Sequence, residues 1–297
     1  MPEDSSIISP LSVQNTSFVF VVHGGALEAK SALLACSLRQ KLLSGNRIVA
    51  ACMEPTDLWT EMRPQTRALF DQLEIEMVPV RNLIDESYPH GNKIGSLGQV
   101  DGPAVFLDSD MMMIRPFILH QSLLNCDAAL KPADIDTFTR GGGSWNAVYK
   151  LFGLPLPAKT MTATSTGEKM RPYFNAGFIW VRNGAEFTKA WVETARAIDL
   201  EPSINNKRPW LDQVALPVTF DRLGWQVNEV PVVLNYPAHL EEIGARTPYI
   251  AHYHWPRIVQ KNNVLERDIR FYCGKFPLLR EILEADTEWG EVTYHLR

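Results

Sequence analysis

The sequence lacks three features that mark specialised classes of protein. No apolar stretch approaches the roughly 20 residues that a membrane-spanning helix needs. Basic residues are not in excess, because 29 Lys and Arg stand against 34 Asp and Glu, a formal net charge of −5. A dedicated nucleic-acid-binding protein usually carries a basic surface. The N-terminus, MPEDSSIISP, is acidic and polar, unlike a secretory signal. We therefore expect no transmembrane segment, no nucleic-acid partner and a cytoplasmic location.

Cysteine is scarce as well. The chain has 4 cysteines in 297 residues, all far apart and without a Cys-x-x-Cys pair. Such a pattern predicts free, mostly buried thiols in a reducing compartment. With 45% hydrophobic and 21% charged residues, the composition is that of an ordinary globular protein. A chain of this length can bury its own core, so it needs no disulfide or metal in order to fold.

Apolar runs alternate with helix-forming segments in the N-terminal third of the chain. The continuous apolar, β-branched runs are typical of parallel strands that are buried on both faces. The order β-α-β-α-β predicts an open α/β sheet with right-handed crossovers. After a flexible tail at residues 1–16, the predicted elements are strands at 18–22, 47–53 and 76–80 and helices at 26–43 and 64–73.

The rest of the chain continues this alternation less regularly. Residues 132–171 include three consecutive glycines and show no clear period, so we interpret them as a mobile region on the acceptor side. Without a repeat or a long linker, residues 17–297 are interpreted as a single domain. The other predicted elements are strands at 104–107, 126–130, 178–181 and within 226–233, and helices within 93–100 and at 185–198 and 277–285.

The sharpest chemical feature is Asp108-Ser109-Asp110, which follows a predicted strand directly. Carboxylates at i and i+2 project to the same side of an extended segment and offer the hard oxygen ligands that suit Mg²⁺ or Mn²⁺. Carboxylates between apolar flanks are costly unless they bind a cation or accept hydrogen bonds. The triplet thus indicates a metal site. Asp134-Ile135-Asp136 repeats the pattern in a polar stretch and is interpreted as solvated surface.

Three other segments are candidates for the same site. His252 and His254 also stand at i and i+2, and an imidazole could complement carboxylates around Mn²⁺, although a histidine beside aromatic residues is more often a core residue. Asn175-Ala176-Gly177 would allow a ligand to approach the backbone closely, or form a plain tight turn. Asp212-Gln213 is compatible with a helix N-terminus.

In their order along the chain, these pieces resemble the glycosyltransferases of the GT-A fold, and most closely glycosyltransferase family 8, the glycogenin-like group. The resemblance runs from about Phe18 to Pro256. It implies an α/β fold with a mostly parallel central sheet flanked by helices. The matching segments are Lys93 on a predicted helix, VFLDSDMMMIRP (105–116), FNAGFIWVRNG (174–184), LDQVAL (211–216) and the late histidine.

The resemblance implies a transferase that moves a sugar from a nucleotide diphosphate sugar, a UDP-sugar, to a hydroxyl group, with retention of configuration. The acceptor would be a carbohydrate, a glycoside or a protein. The leaving nucleoside diphosphate gains negative charge, which Mn²⁺ or Mg²⁺ would neutralise as a Lewis acid. A homodimer is compatible with the sequence.

The resemblance also implies a role for each matching residue. The metal would be held by Asp108, Asp110 and His252, with His254 as the rival histidine. Lys93 would face the phosphates or the donor sugar, and Asp212 and Gln213 would lie near the reacting carbon, where they position it and supply electrostatic help. The remaining donor-site residues would be Ser109, Asn175, Ala176 and Gly177, together with His23, Gly24 and Gly25, whose backbone would cradle the nucleotide.

The sequence departs from the family at two places. His23-Gly24-Gly25 replaces an acidic residue and a tyrosine, and the late motif lacks a glycine and a lysine, for which Arg257 or Lys261 is interpreted as the replacement charge. Two alternatives therefore stay open. One is a catalytically degenerate relative that binds nucleotide sugars. The other, a sugar nucleotidyltransferase, would need a glycine-rich basic loop that HGGALEAK (23–30) matches poorly. The indole rings of Trp145, Trp210 and Trp255 could stack on an acceptor sugar or belong to the core.

Overall fold

A computed structural model describes residues 16–42, 45–116, 125–244 and 247–294. The predicted flexible tail lies almost entirely outside the described residues. Within them, no helix is both long and apolar enough to cross a membrane. The four cysteines are free thiols, and three of them are buried, as predicted.

The N-terminal third forms the predicted alternation of strands and helices, with ends that differ from the prediction by one or two residues. All six residues of the first strand are buried. Its alternate side chains enter two different cores, since Phe18 and Phe20 pack on one face of the sheet and Val19 on the other. The elements are β1 (Ser17–Val22), α1 (Glu28–Lys41), β2 (Ile48–Glu54), α2 (Thr56–Trp59), α3 (Pro64–Gln72) and β3 (Glu76–Arg81).

The remaining chain completes the sheet and covers it. A short helix and a 3₁₀ turn at Ser96–Gln99 precede β4, and a second 3₁₀ turn lies at Val232–Leu234. The elements are α4 (Gly91–Ile94), β4 (Ala104–Leu107), β5 (Met111–Met113), β6 (Ala128–Pro132), α5 (Thr137–Arg140), α6 (Trp145–Leu151), β7 (Met161–Thr162), β8 (Lys169–Met170), β9 (Phe174–Val181), α7 (Gly184–Leu200), α8 (Leu211–Leu223), β10 (Val227–Glu229), β11 (Tyr236–Pro237), β12 (Ile250–His252), α9 (Pro256–Gln260), α10 (Asn263–Lys275), α11 (Pro277–Glu284) and α12 (Thr287–Tyr294).

The main sheet has seven strands in the order β10-β6-β9-β4-β1-β2-β3. Among the described strands of this sheet, only β9 runs antiparallel to its neighbours, so the prediction of a mostly parallel sheet is confirmed. Helices α1, α3, α10, α11 and α12 contribute to the core on one face, and α7 and α8 to the core on the other. A three-stranded sheet, β11-β12-β5, continues from the carboxyl end of β4. The Asp108-Ser109-Asp110 triplet is therefore the turn that joins the two sheets.

Two boundaries differ from the prediction in a way that matters for the site. Asn175-Ala176-Gly177 lies inside β9 rather than ahead of it, because β9 keeps pairing with β6 as far as Phe174, across a register shift near Pro132. Residues 132–171 contain two helices and the β7-β8 hairpin, with Phe138 and Trp145 buried. The mobility of this region, its acceptor role and the single-domain assignment stay predictions.

Candidate active site

The turn from Asp108 to Asp110 is fixed by hydrogen bonds to β9, to β1 and to Tyr253, which follows β12. The Asp108 N–H donates to the Gly177 carbonyl at 2.8 Å, and the Tyr253 N–H donates to the Asp110 carbonyl at 3.1 Å. The Ser109 hydroxyl donates to the Val21 carbonyl at 2.5 Å, so its side chain secures the turn. Both aspartate side chains stay about one-fifth exposed, at 20% and 21%. The turn thus presents two carboxylates to the open side of the sheet.

Lys93, on the short helix α4, forms ion pairs with two carboxylates. Its Nζ lies 2.8 Å from Asp108 Oδ1 and 3.2 Å from Asp212 Oδ2. Burial by itself would lower the pKa of Lys93, but Asp108 and Asp212 outweigh it and raise that pKa above its usual range. Asp212, in the first turn of α8, is only 2% exposed. A buried carboxylate of this kind depends on its cation, since an unpaired charge in such a place is strongly destabilising.

Tyr88 completes the surroundings of Asp212, and the sequence reasoning missed it. Its hydroxyl donates to the Pro209 carbonyl at 2.7 Å and lies 3.3 Å from Asp212 Oδ1. Burial, and then the charge of Asp212, raise the pKa of the Tyr88 phenol far above its usual range. The phenol therefore remains a neutral hydrogen-bond donor at any physiological pH. Gln213 is half-buried beside Asp212 and makes no hydrogen bond with any described side chain of the site.

His252 ends strand β12 and faces Asp110, from 142 positions away in the sequence, with an Nε2–Oδ1 distance of 2.9 Å. A chain of hydrogen-bonded amides determines which nitrogen of the His252 ring carries the hydrogen. The Gly177 N–H donates to Asn175 Oδ1 at 2.8 Å, and Asn235 Nδ2 donates to the same oxygen at 2.9 Å. Asn235 must then offer its oxygen to His252 Nδ1, 3.1 Å away, so Nδ1 carries the hydrogen. With that hydrogen on Nδ1, Nε2 is the nitrogen that can bind a cation beside Asp110, the usual arrangement of a metal-binding histidine.

Gly177 is required by this packing. A Cβ at this position would lie 2.7 Å from His252 Cε1 and 2.9 Å from its Nδ1. Ala176, in contrast, is 1% exposed and points into the core. Of the three predicted residues in this segment, Asn175 and Gly177 therefore contact the site, and Ala176 supports the strand.

His254 also faces Asp110, through an unusual backbone conformation. Its Nδ1 lies 3.5 Å from Asp110 Oδ2, and its ring stacks on that of His252 with centroids 3.8 Å apart. The φ angle of His254 is +57°, which costs a non-glycine residue roughly 1–3 kcal/mol. Lys30 of α1 donates to the His254 carbonyl at 2.9 Å and holds the turn. Burial, and then His252, lower the pKa of His254.

These side chains fit a divalent cation. One ligand atom each from Asp110, His252 and His254 lies within 4.8 Å of the others. Carboxylate oxygen and imidazole nitrogen are ordinary ligands of such ions. Asp108 stands at the edge of the group, because its Oδ2 is 3.9 Å from His252 Nε2 while its oxygens accept hydrogen bonds from Lys93.

The glycine-rich turn after β1 packs against a neighbouring loop. A Cβ on Gly24 would lie 2.3 Å from the Glu61 carbonyl oxygen, and the Gly24 N–H already donates to the Thr60 carbonyl at 2.9 Å. That amide is therefore engaged within the protein. His23 and the ends of β2 and β3 border a cleft of about 170 Å³, lined by Val22, His23, Cys52, Met53, Glu54, Thr56, Thr60, Met62, Arg67, Met77 and Pro79.

The three tryptophans considered for the acceptor have different surroundings. Trp145 is a core residue at 6% exposure, and Trp210 is half-buried. Trp255 is 45% exposed beside His254, with the Arg257 guanidinium 5.2 Å from its ring centroid. Of the three, Trp255 is the most exposed ring, and Trp145 is excluded by its burial.

The interpretation of Asp134 as solvated surface is wrong. Its Oδ1 pairs with Lys131 Nζ at 2.5 Å, and Lys131 is fully buried. It also accepts a hydrogen bond from Thr164 at 2.6 Å, and its Oδ2 lies 3.3 Å from Asn175 Nδ2. Asp134 therefore joins the amide chain that orients His252. The signal in the sequence was Lys131 itself, a cation at the end of the apolar run AAL (128–130), which needs a partner anion.

Residues 18–224, more than half of the chain, match the family described as the Rhodobacterales glycosyltransferase domain. The chain belongs to this family. No curated protein sequence matches it. The solved apo structure of the bifunctional glycosyltransferase WbbM shares the fold at 13% identity and a TM-score of 0.55, over 94% of this chain and 53% of WbbM. The chain therefore spans about half of the WbbM length.

Two other solved glycosyltransferases give weaker superpositions. GlyE of Streptococcus pneumoniae has 16% identity and a TM-score of 0.47, over 80% of this chain and 54% of GlyE. The galactosyltransferase LgtC, solved with donor and acceptor sugar analogues, has 14% identity and a TM-score of 0.47, over 93% of this chain and 99% of LgtC. The glycosyltransferase domain described here has the α/β architecture of the GT-A fold, as the sequence predicts.

Proposed function

We propose that this chain transfers a hexosyl group from a nucleotide diphosphate sugar, a UDP-sugar, to an acceptor hydroxyl, with the help of a divalent cation. The observation that carries the proposal is the convergence of Lys93, Asp108, Asp110, Asp212 and His252 at the carboxyl end of β4. Ligands of open α/β sheets bind outside the carboxyl ends of the strands. Membership of a glycosyltransferase family supports the same reaction class.

Asp110 and His252 would hold the cation, with Asp108 at the edge of its coordination sphere. When bound, the cation would neutralise charge on the leaving nucleoside diphosphate as a Lewis acid. The nucleoside would occupy the cleft beside His23, which is bordered by the ends of β1 and β2 and by Met77 and Pro79 of β3. The donor would then lie across the edge of the sheet, with its diphosphate toward Asp110.

The remaining residues would act on the donor sugar. Lys93 is held between two carboxylates and would add a fixed positive charge on the phosphate side. Asp212 and Gln213 lie beside it in the first turn of α8 and would position the sugar near its reacting carbon. In the reaction, the bond from that carbon to the diphosphate breaks and a bond to the acceptor oxygen forms. The acceptor proton leaves with the nucleoside diphosphate. We propose retention of configuration, as in family 8.

A thermal-shift screen of UDP-, GDP- and other nucleotide sugars, with and without Mn²⁺, tests the donor class. A ligand that binds only the native state raises the melting temperature. We expect a shift that requires Mn²⁺, and release of the nucleoside diphosphate when an acceptor mixture is added. Asp110→Asn should abolish both, whereas Asp71→Asn, a matched change on the exposed face of α3, should leave both unchanged.

The outcomes separate the alternatives. A cation-dependent shift without release of nucleoside diphosphate would indicate a nucleotide-sugar-binding relative without turnover. Release of pyrophosphate from a nucleoside triphosphate and a sugar phosphate would indicate a nucleotidyltransferase. No shift with any nucleotide sugar would refute the proposal.

A further inference from the structure

We infer that His254 is a third protein ligand of the cation, so that the centre combines one carboxylate, Asp110, with two imidazoles. Such a donor set favours Co²⁺, Zn²⁺ or another imidazole-binding cation over Mg²⁺, which is coordinated mainly by oxygen. The inference rests on the proposed function only in that both require a cation at Asp110.

The first support is the position of the two rings around one carboxylate. Asp110 Oδ1 faces His252 Nε2 at 2.9 Å, and Asp110 Oδ2 faces His254 Nδ1 at 3.5 Å. The rings are nearly parallel, at 24°, with centroids 3.8 Å apart. One ligand atom from each of the three residues lies within 4.8 Å of the other two.

The second support is the backbone that creates this arrangement. In an extended strand, residues at i and i+2 lie about 6.6 Å apart, twice the rise of 3.3 Å per residue. The left-handed conformation of His254, with φ +57°, brings its ring to 3.8 Å from His252. Such conformations persist in residues other than glycine only where the surroundings enforce them, and they cluster at functional sites. Here Lys30 enforces the turn through the His254 carbonyl.

The third support is the ion pair between Asp108 and Lys93. Both of its oxygens lie within 3.1 Å of Lys93 Nζ, and its approach to His252 is longer, at 3.9 Å. The carboxylate that the Asp-x-Asp pattern would supply as a second ligand is thus directed to an ammonium group. His254 supplies a ligand atom in its place.

Cation titrations of the purified full chain, without nucleotide, test the inference. Co²⁺, Mn²⁺ and Mg²⁺ are titrated separately by calorimetry, and the visible absorption of bound Co²⁺ reports its ligands. The variant is His254→Asn, because asparagine tolerates positive φ better than most residues and keeps the turn. His254→Gly, which also accepts that conformation, controls for any new ligand atom from asparagine. The matched control is His239→Asn, whose ring contacts His254 edge-on at a centroid distance of 4.0 Å but forms no ion pair with Asp110.

We expect the wild-type chain to bind Co²⁺ more tightly than Mg²⁺. Mutation of a residue that only hydrogen-bonds to a metal ligand typically lowers metal affinity by about 10–100-fold. Loss of a direct ligand should cost at least as much, so both His254 variants should weaken Co²⁺ binding by about tenfold or more. They should shift the Co²⁺ absorption and change Mg²⁺ affinity by less than about threefold. His239→Asn should leave both affinities and the spectrum within that range.

Three results would overturn the inference: no Co²⁺ binding by the wild-type chain, unchanged Co²⁺ affinity and spectrum in the His254 variants, or the loss appearing with His239→Asn. The proposed function fails separately. If the titrations behave as expected and no nucleotide sugar binds or turns over, the metal centre stands and the transferase assignment is refuted.

Discussion

Replacing Lys93 by methionine tests whether its ammonium group holds the site together. Methionine keeps an unbranched side chain, one atom shorter, and removes the ammonium group with its charge and its hydrogen-bond donors. In the variant, no cation at position 93 neutralises Asp108 and Asp212, whose oxygens lie 2.8 and 3.2 Å from Lys93 Nζ in the wild-type chain. Asp108 is 20% exposed and can recover some hydration, but Asp212, with a side chain 3% exposed, cannot.

The magnitude follows from the buried partner. Breaking a buried ion pair by removing one side costs about 3–5 kcal/mol, because the other charge stays behind without compensation. The Tyr88 hydroxyl, 3.3 Å from Asp212, softens this loss, so we expect a decrease of about 3 kcal/mol in the free energy of unfolding. At roughly 2–4 °C per kcal/mol, the melting temperature should fall by on the order of 10 °C.

The assay is urea denaturation followed by circular dichroism, with three reference variants. Lys189→Met, at an exposed position of α7, should change stability by less than about 0.5 kcal/mol. Adding Asp212→Asn to Lys93→Met removes the uncompensated charge, so the double variant should be more stable than Lys93→Met alone. Asp212→Asn alone closes the double-mutant cycle.

The pH dependence provides an independent check. The carboxylates raise the pKa of Lys93 in the folded chain above its unfolded value. The stability from this pair is therefore fully present below the unfolded pKa of about 10.4 and is lost only as the pH rises through the higher folded value. The difference between wild type and Lys93→Met should be the same at pH 6 and pH 9. A variant within about 1 kcal/mol of wild type, or a difference that vanishes between these pH values, would refute the reasoning.

Three further predictions concern the surroundings of the site. Gly177→Ala should cost about 1–3 kcal/mol and weaken Mn²⁺ binding, because its Cβ would lie 2.7 Å from His252 Cε1; calorimetric binding as in wild type would contradict this. Asn235→Ala removes the acceptor of His252 Nδ1 and should lower Mn²⁺ affinity by about 10–100-fold, measured by the same titration; a change below threefold would exclude an orienting role for the amide. Burial raises the pKa of the Cys52 thiol to about 11. Iodoacetamide should therefore modify Cys52 slowly at pH 7.5 and about tenfold faster with each pH unit as the thiolate forms, and UDP bound in the adjacent cleft should protect it. Rapid alkylation at pH 7.5, detected by mass spectrometry, would exclude the raised pKa.

Much of the site could be anticipated from local patterns. Asp108 and Asp110 follow a short apolar strand, and carboxyl ends of parallel strands are where such sheets bind ligands. The predicted helix around Lys93 and the helix start at Asp212 are present, and both side chains reach the same point. The family resemblance predicts His252, with His254 as its rival, as the metal-binding histidine. Both rings face Asp110, a contact that no periodicity could have indicated across 142 positions.

Other features depended on contacts between distant segments. Asn235 stands in the unremarkable segment VLNYP (233–237), and only the pairing of β11 with β12 brings its amide to His252. Asp134 looked solvated, because its sequence neighbours are polar. Its actual surroundings are the buried Lys131 and Thr164 of the β7-β8 hairpin region.

The sequence by itself determined the α/β alternation, the burial of β1 on both faces and the position of Asp108 and Asp110 at a strand end, because hydrophobic period and strand ends are local properties of the chain. The tertiary structure decided which charges neutralise one another and which imidazoles share Asp110. These contacts depend on the strand order, on the hydrogen bond from Lys30 to the His254 carbonyl across 224 positions and on the left-handed conformation of His254. Short-range sequence patterns do not encode them.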